Sequence, residues 1–405
     1  MATNNNNKAL NVPHLRFPEF SGVWKKVRLG EKCNMLCGYA FNGEDIVEQG
    51  SYLLMRGINI TEGSIRHSSE LDRYYSGSIE KLDKYKLAVG DLVIGMDGSK
   101  VGRNSAIVSS YEDGSYLVQR VCRIKSSIGN NYILQFINNT KFHQYVDTVK
   151  TSSAIPHISL GDIQNFRISI PPTQDETDKI AKLFLLLDER IATQNKIIED
   201  LKKLKSAISK QVFAQEPNGW SRLDTLFSKG KAGGTPTSTN KEYYNGEIPF
   251  LSINDITKQG KYVQYTENHL SQSGLENSSA WVVPKYSLIM SMYASVGLVT
   301  INEIPITTSQ AMFAMQLKDK DLLDYLYYYL SYFKYRHIHK YLETGTQSNI
   351  NADIVRGIMI PTYGHSRNME IASTLQSIDV KIDNELSVLK LFNRQKNYLL
   401  SQMFI

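Results

Sequence analysis

The sequence predicts an α/β (α+β) chain that carries one unit twice. Each unit is a mixed α/β domain followed by a long helix, and the two helices pair as an antiparallel coiled coil that separates two similar domains. Two observations predict this. Lys179–Phe213 aligns without a gap on Glu370–Phe404, so that Ile180, Ala181, Asp188, Ile191, Lys205, Gln211 and Phe213 recur as Ile371, Ala372, Asp379, Ile382, Lys396, Gln402 and Phe404. Within both stretches apolar residues alternate at steps of four and three, the heptad seam by which helices pair. The expected bounds are 1–174 and 216–362 for the domains, 175–215 and 363–405 for the helices, with a pseudo-twofold repeat relating the halves.

The elements follow in chain order. In the first domain Asp91–Met96 and Phe166–Ile170 are short runs of β-formers and predict strands. Tyr132–Val146 has the periodicity of one helix. The stretch Ile168–Gln174 (ISIPPTQ) closes the domain, and its two prolines let the long helix begin cleanly. The second domain repeats the plan with Ser287–Met292, a helical stretch over Asp324–Leu342, and Ile358–Gly364 (IMIPTYG). Further upstream Trp24 mirrors Trp220, Met55–Ile60 mirrors Leu251–Ile256, and Val101-Gly102 mirrors Val296-Gly297. Six tyrosines between Tyr325 and Tyr335 invite base stacking, but aromatics at helical spacing form core.

The first seam runs through Ile180, Phe184, Leu187, Ile191, Gln194, Ile198, Leu201, Lys205, Ile208 and Val212. The second runs through Ile371, Leu375, Ile378, Ile382, Glu385, Leu389, Phe392, Lys396, Leu399 and Met403. More than four unbroken heptads exceed what one domain face needs, which favours mutual pairing over packing of each helix on its own domain. Setting Lys205 opposite Glu385 places Gln194 opposite Lys396 by symmetry and leaves the other layers apolar, Ile198 with Phe392 and Ile208 with Ile382 among them. Two like domains on a rigid spacer suit a split DNA site.

Composition is neutral on function. The 405 residues are 41% hydrophobic and 21% charged, as in a soluble globular protein, and the net charge of +6 permits nucleic acid without demanding it. No apolar run reaches membrane-spanning length, and the polar start lacks the apolar stretch of a secretory signal. Three cysteines (Cys33, Cys37, Cys122) make no disulfide framework, so a cytoplasmic setting is expected. Enzyme readings fare poorly: there is no phosphate-binding G-x-x-x-x-G-K-[ST], no G-x-G-x-x-G and no H-E-x-x-H. Cys33-x-x-x-Cys37 lacks a second pair, and His337-x-His339 belongs on a basic surface, so no metal site is expected. Asp200-x-Lys202 and Asp379-x-Lys381 faintly suggest a nuclease pair, but they lie on the seam helices and not on a strand in a cleft.

Four stretches carry a family resemblance. They are VPHLRFPEFSGVW (Val12–Trp24), SSAIPHISLGDIQNFRISIPP (Ser152–Pro172), GGTPTSTNKEYYNGEIPFLSINDI (Gly233–Ile256) and TGTQSNINADIVRGIMIP (Thr344–Pro361). In this order, with the helix opening twice over, the chain resembles the specificity subunits of type I restriction–modification systems over nearly all its length. The resemblance implies two target-recognition domains, each reading half of a bipartite site in double-stranded DNA through the major groove. It implies two methyltransferase (modification) subunits, which hold S-adenosylmethionine, docked on the helices. It also implies two restriction subunits that use ATP and Mg, with no cofactor in this chain itself. The first half has Gly38–Ile46 (GYAFNGEDI) where the second has its Gly-Gly-Thr-Pro loop, so the site should be asymmetric. The competing readings are a coiled-coil scaffold whose domains bind protein, and a stand-alone DNA adenine methyltransferase.

Duplex binding needs cations for phosphates and hydrogen-bonding or methyl-contacting side chains for base edges. In the first domain the loop Gly98–Asn104 offers Ser99, Lys100, Arg103 and Asn104, and other loops offer Tyr39, Phe41, Arg56, Asn59, Arg66, Lys150, Ser152, Ser153 and His157. In the second the candidates are Thr235, Thr237, Ser238, Asn240, Lys241, Ser252, Asn254, Tyr293, Ser295, Thr346, Gln347, Ser348 and Asn349. Turn chemistry alone also favours Gly, Ser, Thr, Asn and Asp in such loops.

Overall fold

A computed structural model describes residues 11–341 and 349–405. The chain forms two compact units, one running through Asn195 and including Ser387–Ile405, the other spanning Lys196–Leu386.

The first unit is built on a four-stranded sheet in the order Cys33–Cys37, Val121–Ser126, Leu92–Gly95, Ser105–Ile107, each neighbour antiparallel. The central strand Leu92–Gly95 is buried on both faces, hence its unbroken apolar run. A second small sheet joins Tyr116–Leu117, Tyr52–Met55, Tyr74–Tyr75 and Ile46–Val47. Lys25–Arg28 pairs with Arg167–Ile170, the strand that closes the domain. The stretch expected as one helix from Tyr132 is two, Asn130–Ile137 and Thr140–Val149. The break is local chemistry: the Asn139 side chain accepts from Lys141 N (2.9 Å) and so caps a new helix in place of continuing the old one.

The second unit repeats that sheet as Phe227–Ala232, Met312–Leu317, Leu288–Ser291, Val299–Asn302, with Tyr262–Val263 added at the far edge. The closing pair recurs as Gly219–Arg222 with Met359–Thr362. The short helices before the closing strands, Leu160–Asn165 and Ala352–Gly357, are capped alike by Ser159 and Asn351. Gly102 and Gly297 both take positive φ (+72° and +78°), which explains glycine at this point of each repeat. The tryptophans hold one place in the repeat, since Lys25 pairs with Ile170 as Ser221 pairs with Ile360, but they differ in burial: Trp24 is buried with its indole on Glu176 (3.3 Å), whereas Trp220 is exposed.

The tyrosine-rich stretch is the helix Leu323–Arg336, followed by a 3-10 turn at Ile338–Tyr341. Tyr325, Tyr328 and Tyr329 are buried, while Tyr335 stands free of the core. Tyr325 and Tyr329 donate to the carbonyls of Pro361 (2.7 Å) and Met359 (3.0 Å), which staples the closing strand to the core.

The long helices are Gln174–Phe213 and His365–Met403, and each contributes residues to both units. In the first unit Asp188 accepts from Lys396 Nζ (2.5 Å) and from Gln135 Nε2 (3.3 Å). In the second its repeat partner Asp379 accepts from Lys205 Nζ (2.5 Å) and from Tyr328 OH (2.8 Å). The helices therefore run antiparallel within each unit, but Lys205 reaches Asp379 and not Glu385, and Lys396 reaches Asp188. The cause is that both lysines sit on the apolar seam and extend their ammonium groups to aspartates flanking it, where water and a carboxylate are at hand. Glu385 pairs along its own helix with Lys381 (2.5 Å). None of the twelve seam positions from Ile191 to Ile208 and Ile382 to Leu399 is exposed, whereas Leu186, Leu204 and Leu391, off the seam, are.

Candidate nucleic-acid interface

Several candidates of the first domain gather around one turn. Ser99, Lys100, Arg103 and Asn104 follow the central strand, on a chain reversed by Gly98 (φ +90°) and Gly102. The loop bearing Ser152, Ser153 and His157 is fastened onto this turn: Gly98 N donates to Pro156 O (3.0 Å) and Ile158 N to Met96 O (3.0 Å), and Asp97 bridges His157. His157 is oriented by Thr151 Oγ1 (3.0 Å). Arg66 faces the turn across an open concavity of about 450 Å³, lined also by Ile58, Ser99, Lys100 and Asn104.

The cations there are paired with acids. Lys100 is 2.9 Å from Glu62, and Asp147 receives Arg103 (2.9 Å) and Lys150 (2.6 Å). Lys150 first, then Arg103, holds the Asp147 carboxyl below the ordinary carboxylate range. Exposed pairs of this kind are screened by water and contribute little, so a phosphate can displace them readily. Lys100→Ala or Arg103→Ala should weaken binding to every sequence and flatten the dependence of log K on log salt by about one unit per lost contact. Titration at several salt concentrations checks this; a loss confined to one base pair would instead make the residue a base reader.

Other first-domain candidates turn out to be structural. Phe41 is buried with Leu54, Leu82 and Tyr116, and Tyr39 packs edge-on against it (5.1 Å), half exposed. Asn59 is buried, donating to Arg66 O and Asp72 Oδ1 (both 3.2 Å) and accepting from Arg56 N. It occupies the place that Asp255 fills in the second unit, where Asp255 accepts from Ser252 N and Oγ (2.8 and 2.7 Å). Asn59 and Ser252 are thus capping residues. Arg56 donates to Leu71 O (2.5 Å), and burial together with the charge of Arg73 pulls its pKa below the usual guanidinium value.

The second domain repeats the face. Ile350 N donates to Met292 O (3.1 Å), as Ile158 does to Met96, and brings Asn349 to the turn that carries Tyr293 and Ser295. Ala294 and Ser295 are in the left-handed region (φ 34° and 53°) and Tyr293 is exposed. Thr346, Gln347 and Ser348 lie outside the described residues. Thr235, Thr237, Ser238, Asn240 and Lys241 share the loop between the strands Phe227–Ala232 and Tyr244–Leu251. Thr235 donates to Gln310 (2.5 Å), Asn240 caps Glu242 N (3.1 Å), and Asn254 donates to Glu267 (3.0 Å). Sequence reasoning passed over Lys229 and Lys231, which lead into this loop from an edge strand; their period-two spacing was the available signal. Arg120, exposed in a left-handed turn (φ 67°), carries no loop signature at all.

Comparison with known proteins gives a consistent picture. The pattern of the family described as Type I restriction modification DNA specificity domain matches residues 22–203 and 217–389. The MjaIX type I restriction enzyme specificity subunit of Methanocaldococcus jannaschii is 27% identical over 158 residues, 38% of this chain and 36% of that one. The EcoAI type I restriction enzyme specificity subunit of Escherichia coli is 28% identical over 187 residues, 45% of this chain and 31% of that one. The chain thus spans about a third of the length of these two relatives. The crystal structure of a type I restriction–modification S subunit from M. genitalium superimposes with a TM-score of 0.62 at 14% identity, covering 97% of this chain and 99% of the other, which shows a shared fold.

Proposed function

The chain belongs to the family of type I restriction–modification DNA specificity domains, and from that premise we propose that it is the sequence-reading subunit of a type I restriction–modification complex. Residues 1–174 and 216–362 are its target-recognition domains, each reading one half of an asymmetric bipartite site in double-stranded DNA. The single observation that carries this is the duplicated face: one loop fastened by one backbone hydrogen bond onto one turn, at Ile158–Met96 and again at Ile350–Met292, presenting different side chains each time. A protein that reads two unlike half-sites needs the same scaffold with different loops.

The helices 175–215 and 363–405, paired through Ile191, Gln194, Ile198, Leu201, Lys205 and Ile208 with Ile382, Glu385, Leu389, Phe392, Lys396 and Leu399, carry the partners. Two modification subunits supply S-adenosylmethionine and methylate adenine; two restriction subunits supply ATP- and magnesium-dependent cleavage. The chain itself performs no chemistry, and the complex works on double-stranded DNA in the cytoplasm. The purified chain should transfer no labelled methyl group and cut no duplex. Co-expressed with its modification partners, it should mark adenines in one bipartite sequence. Methyl transfer by rigorously partner-free protein, or marks without a common sequence, would overturn the reading.

A further inference from the structure

Two large aliphatic side chains of the first domain stand in water. Ile155 is 66% exposed and Ile58 54%. Isolated exposed aliphatics are ordinary on protein surfaces, but both of these lie by the turn at Gly98. Ile58 lines the concavity that holds Arg66, Ser99, Lys100 and Asn104. Ile155 adjoins Pro156, whose carbonyl accepts from Gly98 on the same rim. Both backbones are pinned: Ile58 O accepts from Arg66 Nη2 (3.0 Å) and Ile155 O from Ser153 Oγ (2.7 Å). The side chains are therefore presented from fixed positions, between groups suited to phosphates and base edges.

The repeat supplies an internal comparison. In the aligned segments Met55–Ile60 and Leu251–Ile256, Ile58 corresponds to Asn254, whose amide is engaged by Glu267. One scaffold position is thus apolar in one half and polar in the other. The base edge that accepts an apolar contact in the major groove is thymine, through its C5-methyl group.

Building on the DNA-reading function above, we propose that Ile58 and Ile155 form an apolar rim that receives the C5-methyl of a thymine in the first half-site. The test uses the full chain with its modification partners, on duplexes carrying the mapped site in which each thymine is replaced singly by uracil, a change that removes only the methyl. One thymine of the first half-site should show about a fourfold loss of binding, the effect of one buried methyl group. That loss should fall away in Ile58→Ala or Ile155→Ala, exposed positions whose truncation leaves folding intact, while thymines of the second half-site behave alike in all variants. The proposal is overturned if every uracil duplex gives the same ratio for parent and variants, or if the first half-site contains no thymine. Failure of the underlying function is distinguishable, because then no methylated bipartite site is found at all.

Discussion

Replacing Val12–Pro171 with the matching segment of a relative should exchange the first half of the methylated sequence and leave the second half unchanged. The segment carries the whole first turn-and-loop face, from Ile58 and Arg66 through Lys100 to His157, and none of the second. Its boundary at Pro171 lies in the tight connection between the closing strand and the first long helix, outside both faces. Success depends on the contacts that cross the boundary within the first unit. Phe404 packs against Phe136 (4.7 Å), Tyr132 (5.5 Å) and Phe184 (5.5 Å), so the donor segment must keep aromatic bulk at the first two positions. Losing one such ring costs about 3–5 kcal/mol. Sequencing of methylated adenines reads the result, and an altered second half-site would count against independent reading.

Gly233→Ala should cripple reading of the second half-site, and Gly38→Ala that of the first. The two glycines occupy one place in the repeat: Gly38 N donates to Val121 O (2.9 Å) and Gly233 N to Met312 O (3.1 Å), each at the exit of an edge strand into a loop. A Cβ at Gly38 would fall 2.1 Å from Val118 O, and one at Gly233 would fall 2.0 Å from Thr308 O. Both obstacles are backbone atoms that no rotamer change can move. Overpacking of this kind costs about 1–3 kcal/mol or more, a large share of a typical stability of about 5–15 kcal/mol. Gly43→Ala is the control, since its Cβ would meet nothing within 4 Å. Thermal melting and methylation mapping should separate the variants, with Gly43→Ala like the parent; equal behaviour of Gly233→Ala and Gly43→Ala would refute the argument.

The architecture was legible because duplication amplifies weak signals. A strand such as Leu92–Gly95 says little alone, but its recurrence as Leu288–Ser291, each with a glycine turn beyond, fixes the plan. The partners of the seam lysines were not legible, because a heptad pattern marks the seam without saying which carboxylate beside it a lysine will reach. The sequence offers candidate loops but does not separate reading residues from structural ones. Asn59 and Phe41 have the composition of a reading surface, yet one caps a turn and the other fills a core. Local sequence cannot separate an asparagine that satisfies its own backbone from one that awaits a base.

The discontinuity of the first unit sets the order in which the chain can mature on the ribosome. Its core closes only when Leu400, Met403 and Phe404 join Ile180, Phe184 and the helix that starts at Asn130. Everything in the second unit is translated in between, and at about 5–20 residues per second the half-finished first domain waits tens of seconds. The part synthesised first is completed last, with Tyr132, Phe136 and Phe184 lacking their final aromatic neighbour throughout. A stalled ribosome or a stop ahead of Leu400 therefore damages the domain that was made first. The nascent chain, more than the mature one, is where chaperones have most to protect.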